Sequence, residues 1–385
     1  MTRPHHSSFQ LSISQVVLLA AVYLTLFANV AFFRNLFATF SDTPWGPFHL
    51  VSLALALLCA MVVFLSVISF RAILKPALVA LFLASVVTAY FMDTYNVIID
   101  RDMIANVAAT DSAESWDLLT PRLFVYIGLL GLLPSLAVAR IRLRPATAWQ
   151  GLSSRLMLAG GALLIMLALA LMSSAFYASF VREHKQLRYY ANPLTPVYSV
   201  YKFGKARLAA TQAPLEAIGE DAHIPARDID RELVIMVVGE AARADRFSLN
   251  GYERKTNPEL ARHDVISFTD MSACGTSTAI SVPCMFDVYD QDEFSMGKSE
   301  STQNVLDVLG HAGVNLLWRE NNSKSRGVAD RIRFEDFRSP DLNPVCDKEC
   351  RDVGMLSGLQ DYIDRQISGD ILIILHQMGS HGPAY

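Results

Sequence analysis

Three groupings in this sequence bring reactive residue types together. The segment Ser272-Ala-Cys-Gly-Thr-Ser-Thr-Ala-Ile-Ser-Val-Pro-Cys-Met-Phe286 is crowded with hydroxyls and follows Val265-Ile-Ser-Phe268, an apolar run that reads as a strand. A hydroxyl placed where a helix begins is well set to attack phosphorus, because free backbone N–H groups and the helix dipole stabilise phosphoryl oxygens. Such a hydroxyl is a poor nucleophile until a metal lowers its pKa. Thr276, Ser277 and Thr278 also fit the plainer role of caps and turn formers. The other two candidates are Glu240, just past the apolar run Leu233-Val-Ile-Met-Val-Val238, and His376, just past Ile371-Leu-Ile-Ile-Leu375. In an open α/β sheet, ligands gather at the carboxyl ends of strands. Either residue alone reads equally well as a structural hydrogen-bonding group; their shared edge makes them candidates.

The elements behind these residues have a clear signature. Continuous β-branched runs such as 233–238, 371–375 and Val314-Asn-Leu-Leu-Trp318 are how strands buried on both faces of a parallel sheet read. Helical stretches are expected at 304–311 and 352–367, so strands alternate with helices as in an α/β domain.

The first half of the chain is different. Overall 52% of the 385 residues are hydrophobic, too many for an ordinary soluble pair of domains. Five runs, at 16–33, 48–70, 77–92, 123–139 and 156–180, approach or exceed the roughly 20 residues needed to cross the hydrocarbon core. The first run has no small-x-small cleavage site after it and reads as an anchor. Arg3, Arg71, Lys75, Arg140, Arg142, Arg144 and Arg155 fall on one side, against Arg34, Arg101 and Arg122 on the other, so the amino terminus is expected in the cytoplasm. Five crossings then place everything after Phe180 outside the inner membrane. The domains expected are a five-helix transmembrane domain over 1–180 with a periplasmic loop at 93–122, a cationic and aromatic membrane-surface linker over 181–230, and an α/β domain over 231–385. The loop carries Met103, Ile104, Val107 and Ala108 among polar residues and suits an interfacial helix. Cys274/Cys284 and Cys346/Cys350 lie in the exported part and read as two disulfides, with a C-x3-C metal half-site as the alternative for the second pair. Cys59 falls inside the second span. The net charge of −4 leaves no basic footprint for nucleic acid.

Four blocks carry a resemblance: Val237-Val-Gly-Glu-Ala-Ala-Arg-Ala-Asp245, the 272–286 segment, Leu317-Trp-Arg-Glu-Asn-Asn322, and His376-Gln-Met-Gly-Ser-His-Gly-Pro-Ala-Tyr385. Together they are very similar to the lipid A phosphoethanolamine transferases, the family that includes the mobile colistin-resistance enzymes, within the alkaline phosphatase and sulfatase superfamily. Asp102-Met-Ile-Ala-Asn-Val-Ala-Ala-Thr-Asp111 resembles that family's periplasmic loop, so the likeness runs along essentially the whole chain. The resemblance implies a bacterial inner-membrane enzyme with its sulfatase-like domain in the periplasm. Thr278 would be the nucleophile, ligating a catalytic zinc with Glu240 and taking phosphoethanolamine from phosphatidylethanolamine before passing it to a lipid A phosphate. Asn322 and His381 match positions associated with substrate or a second zinc. Asn106, Thr110 and Glu114 match the lipid-headgroup loop. Arg326 stands where relatives commonly carry Lys, a rigid fork in place of a point charge, which bears on headgroup preference.

The family's zinc site also uses an Asp-His pair downstream of the H-Q-M-G block, and the chain stops at Tyr385. We therefore read the α/β domain as incomplete and the chain as a fragment of a longer enzyme, with an inactive truncated membrane protein as the alternative. Another periplasmic glycan is the alternative acceptor. A sulfatase proper would need C-x-P-x-R or its Ser equivalent, and Ser281-Val-Pro-Cys-Met285 lacks the Arg. A phosphoglycerol transferase would share the threonine and the fold, but not the C-G-T-S-T-A block.

Overall fold

The computed structural model describes residues 10–43, 45–109, 116, 118–212, 214–347 and 349–379. It divides into two compact units, Met1–Ile104 with Trp116–Phe203, and Ala105–Ser115 with Gly204–Tyr385.

In the first unit, four helices among the described residues are long and apolar enough to cross a membrane: Gly46–Ile68, Leu74–Tyr95, Pro121–Arg140 and Ala148–Met172. The expected first span, 16–33, is instead a bent pair, Ile13–Phe27 and Val30–Phe40, which turn by 59° at their break and make a fifth crossing if counted as one. A broken helix frees backbone groups that lipid cannot satisfy, and buried polar side chains take them up here. The Asn192 amide donates to the Ala28 carbonyl (3.0 Å) and the Ser85 carbonyl (2.7 Å). Asp93 accepts the Ala31 N–H (2.8 Å). Asn29 and Asn192 also bond each other, through the Asn29 amide to the Asn192 carbonyl (2.6 Å) and the Asn192 N–H to Asn29 Oδ1 (2.9 Å).

The expected fifth span is corrected too. Helix Ala148–Met172 breaks at Ser173, and Phe180 belongs to a second helix, Ser174–Glu183. Ser173 and Ser174 sit at that break, residues whose side chains compete for backbone bonds. Pro134 is accommodated differently: the chain widens into a π-helix over Ile127–Leu132, immediately before the proline's missing N–H would be needed. Residues 93–122 contain a helix, Arg101–Ala109, whose first N–H groups at Asp102 and Met103 are accepted by Asp100 (3.1 and 2.9 Å). Residues 181–230 include the 19-residue helix Leu194–Gln212.

The second unit is built on a parallel four-stranded sheet in the order Leu233–Val238, Ile371–His376, Asn315–Glu320, Arg333–Asp336. Val238 and Glu320 both register against His376, so three strands end level at one edge. Apolar residues cover both faces: Trp318, Ile374, Val238, Phe286 and Leu306 pack on one, Leu317, Ile373, Leu375, Met355 and Tyr362 on the other. These are the sequence-predicted strands, with the 314–318 run displaced to Asn315–Glu320 and with 233–238 not buried on both faces as expected: it ends the sheet, with one neighbour among the described strands, and Leu233, Val234, Ile235 and Val237 are 45–52% exposed.

Two further expectations fail. Residues 265–268 form no strand, and Ile266 and Phe268 are largely exposed at 88% and 70%. The apolar pattern is local, whereas a strand needs a ladder partner, and none of the described strands pairs with it. The helix expected at 352–367 is cut by Gly358, at φ +62°, into a 3₁₀ turn Asp352–Leu356 and a helix Leu359–Arg365.

Candidate active site

Thr278 is the first residue of helix Thr278–Phe286, with Ser277 as the extended N-cap. The helix forms because Ala279, Val282 and Phe286 bury one side against the sheet, while Pro283, five residues past Thr278, lies within it. That places the Thr278 hydroxyl beside Glu240: Thr278 Oγ1 donates to Glu240 Oε2 at 2.8 Å. Glu240 sits two residues past the first strand and is held in turn. Its Oε1 accepts the N–H of Ala241, which adopts a left-handed φ of +52° (3.0 Å). The amide of Asn322 donates to Oε2 at 3.1 Å and to the Gln377 carbonyl at 2.8 Å. So Glu240, Thr278 and Asn322, three of the sequence-predicted residues, meet at the carboxyl edge of the sheet. They border or support a cavity of about 1270 Å³ that is lined by Glu240, Arg243, Phe268, Met271, Thr278 and Tyr289 among others.

Both expected disulfides are present, Cys274–Cys284 and Cys346–Cys350. The first ties the turn before Thr278 to the helix that follows; Cys59 is free and buried. Arg326 lies at the end of the Asn322 loop in left-handed backbone (φ +56°) and donates to Ser323 Oγ at 2.8 Å. Asn106 lies on helix Arg101–Ala109. Thr110, Glu114 and His381 lie outside the described residues.

His376 is placed differently from the expectation. It is the last residue of its strand, fully buried, and bonded to Glu320 (Nδ1 to Oε2, 2.9 Å) instead of reaching the open edge beside Glu240. Its neighbours explain this: Trp318 stands edge-on to the ring at 5.6 Å and covers it. Sequence reasoning passed over Glu320 and Asp352. Asp352 accepts the N–H groups of Met378 (2.8 Å) and Gly379 (2.9 Å) and the amide of Asn321 (2.8 Å), fastening the loop after the last strand. Glu320 carried a signal, since it stands inside the W-R-E-N-N block as a charge directly after a buried run.

A zinc ion is what the resemblance implies at this position. Glu240 and Thr278 present two oxygen donors of the right chemistry, converging within 2.8 Å of each other. Among the described residues no group of three or more His, Cys, Asp or Glu side chains comes together to complete four ligands.

Comparison with known proteins bears on the whole chain. Residues 57–208 match the family model for phosphoethanolamine transferase EptA/EptB, and residues 232–385 match the sulfatase model. Phosphatidylethanolamine transferase Mcr-2 of Escherichia coli is 42% identical over 99% of this chain and 73% of its own length. Mcr-1 of Escherichia coli is 43% identical over 98% and 72%. Phosphoethanolamine transferase EptA of Escherichia coli K12 is 35% identical over 96% and 68%. The solved integral membrane lipooligosaccharide phosphoethanolamine transferase A from Neisseria meningitidis superposes with a TM-score of 0.91 at 30% identity, covering 98% of this chain and 71% of that one. With a helical membrane unit followed by a sulfatase-like α/β domain, the chain belongs to the EptA/Mcr family of phosphoethanolamine transferases in the alkaline phosphatase and sulfatase superfamily.

Proposed function

We propose that this protein moves phosphoethanolamine from phosphatidylethanolamine to a phosphate of lipid A by way of a phosphothreonine at Thr278. The observation that carries the reading is the 2.8 Å bond from the Thr278 hydroxyl to Glu240 at a helix start on the sheet's carboxyl edge. Related proteins named as phosphatidylethanolamine, lipooligosaccharide and Kdo(2)-lipid A transferases support the choice of donor and acceptor.

In the first step Thr278 Oγ attacks phosphorus, the P–O bond to diacylglycerol breaks, and the hydroxyl proton passes to Glu240 Oε2. Diacylglycerol departs as an alcohol after taking up a proton. In the second step a lipid A phosphate oxygen attacks the phosphothreonine, and Thr278 leaves and regains its proton. Two displacements let donor and acceptor use one site in turn. Backbone N–H groups at the start of the Thr278 helix face the developing charge, and the Asn322 amide fixes Glu240 while this happens. Glu240 and Thr278 would hold part of a zinc site, and the ion supplies charge that lowers the hydroxyl's pKa and stabilises phosphoryl oxygens. Placement of the catalytic unit in the periplasm is supported by its two disulfides and by the Lys and Arg bias of the short loops.

The test is mass spectrometry of lipid A from cells expressing the gene or its Thr278→Ala form. We expect lipid A to gain the mass of phosphoethanolamine with the parent and not with the variant. Continued addition by the variant would remove Thr278 as nucleophile; addition to a different glycan would overturn the acceptor.

A further inference from the structure

Glu320 closes its strand as a fully buried carboxylate, opposite the fully buried His376 on the neighbouring strand. Three nitrogens converge on it. Trp318 Nε1 and His376 Nδ1 reach Oε2, each at 2.9 Å, and the Asn322 backbone N–H reaches Oε1 at 2.7 Å. A buried carboxylate is costly, and replacing such a group with apolar residues is often neutral for stability, so its use lies in fixing geometry. The geometry here leads directly to the reacting atoms. The N–H that Glu320 fixes belongs to Asn322, whose side chain donates to Glu240 Oε2, the same oxygen that accepts from Thr278. Both oxygens of Glu320 already accept N–H groups, from Trp318 and Asn322, so the bond to Nδ1 is made with His376 as the donor. Nε2 of His376 is buried and has no partner among the described residues, so the imidazole is oriented by Glu320 and by the packing of Trp318.

We propose that Glu320, backed by His376, is a positioning residue: it sets the Asn322 amide against Glu240 and so decides which lone pair of Glu240 remains for the Thr278 proton. The inference rests on the reading of Thr278 as nucleophile. Glu320 touches no substrate and acts through Asn322. Trp318 and His376 hold the far oxygen, so the carboxylate cannot rotate away from the Asn322 N–H without losing both bonds. In Glu320→Gln the remaining oxygen stays with the two donors, Trp318 Nε1 and His376 Nδ1, so the NH2 faces the Asn322 N–H and that bond is lost.

The experiment is a double-mutant cycle in the full chain, purified in detergent with phosphatidylethanolamine as donor, using Glu320→Gln, Asn322→Ala and the pair. Each single change is expected to lower kcat by about 10- to 100-fold, the scale typical of groups that orient a first ligand. For Glu320→Gln KM should stay within about two-fold, because Glu320 touches no substrate. The double variant should be no slower than the slower single, since both changes break one chain of contacts. Losses that multiply, or a Glu320→Gln protein that keeps parental kcat, would overturn the proposal. Should Glu320→Gln not accumulate, Trp318→Phe keeps the test open. It withdraws one donor from Oε2 while leaving the Asn322 bond, so it should lower Tm yet hold kcat within about three-fold; a loss equal to that of Asn322→Ala sinks the idea. Thr278→Ala reports separately on the nucleophile: transfer surviving in that variant removes the underlying reading, whatever the cycle shows.

Discussion

Gly379 lies directly against the backbone of Glu240. A Cβ at position 379 would stand 2.7 Å from the Glu240 carbonyl oxygen and 3.0 Å from its nitrogen, and the backbone there holds a left-handed φ of +57°. The loop after strand Ile371–His376 and the residue that accepts the Thr278 hydrogen bond are therefore in contact, with no room between them for a side chain.

Gly379→Ala should push these two backbones apart. Because displacements near 1 Å at a reacting group can cost about 100-fold, we expect at least about a tenfold fall in transfer rate. The stability cost should stay near 1 kcal/mol, that of a left-handed alanine. A rate assay beside a melting curve separates the two effects, and a variant with parental kcat would show that Glu240 does not depend on this contact.

Asp352→Ala removes the acceptor for the Met378 and Gly379 N–H groups. Both amides should exchange with solvent at least about tenfold faster, the scale of one lost charge-assisted bond at about 1.5–3 kcal/mol. Hydrogen exchange read by mass spectrometry over the peptide spanning the loop reports this, and unchanged protection there would refute the strut.

Asp307 sits in the first turn of helix Val305–His311 and pairs with Arg331 through two contacts of 2.6 Å. Burial alone would raise its pKa, but the Arg331 guanidinium and the Asn304 N–H outweigh it and hold the carboxyl below its ordinary range. A depressed folded pKa gives stability that is fully present above the unfolded value of about 4 and is lost as pH falls through the folded value. Asp307→Asn should cost about 2 kcal/mol at neutral pH, less than a wholly buried pair because Arg331 keeps 33% of its side chain in solvent. The gap between parent and variant should close on acidification. Melting temperatures taken between pH 7 and pH 3 check this, and parallel curves throughout would count against it.

In the membrane unit, Asn192→Ala takes the side-chain donor from the Ala28 and Ser85 carbonyls and one acceptor from the Thr88 hydroxyl, while the backbone bonds between position 192 and Asn29 remain. With about 1–3 kcal/mol at stake for each of the two carbonyls, we expect about 2 kcal/mol or more, above the cost of Thr88→Val, which takes a single contact from Asn192. Thermal unfolding in detergent ranks the two, and equal losses would mean the bent helix pair does not rely on Asn192.

Continuous apolar, β-branched runs announce strands, and 233–238 and 371–375 are recovered almost residue for residue, but only the second is buried as such a run implies; 233–238 lies at the sheet edge with four of its side chains exposed. The pairing of Glu240 with Thr278 is what the family resemblance implies; the shared-edge argument itself joins Glu240 to His376, which the structure buries against Glu320. Features that depend on distant partners were not legible. The break at Ala28 is stabilised by Asn192, more than 160 positions away, and nothing in the local pattern marks it. Val265-Ile-Ser-Phe268 has the composition of a strand without a neighbour to pair with. His376 looks like an edge histidine until Trp318 and Glu320 are seen to enclose it.

The bridge between Cys346 and Cys350 spans four positions. So small a ring removes little freedom from an unfolded chain, and its grip on global stability is correspondingly weak. Its neighbours give it another use. The Cys350 carbonyl holds the Asn321 amide at 2.9 Å, that amide also reaches Asp352, and Asp352 ties down Gly379 against Glu240. Its local role is therefore to hold the Cys350 carbonyl where the Asn321 amide meets it. The bridge thus bears on the alignment of the loop after His376 more than on the topology of the sheet.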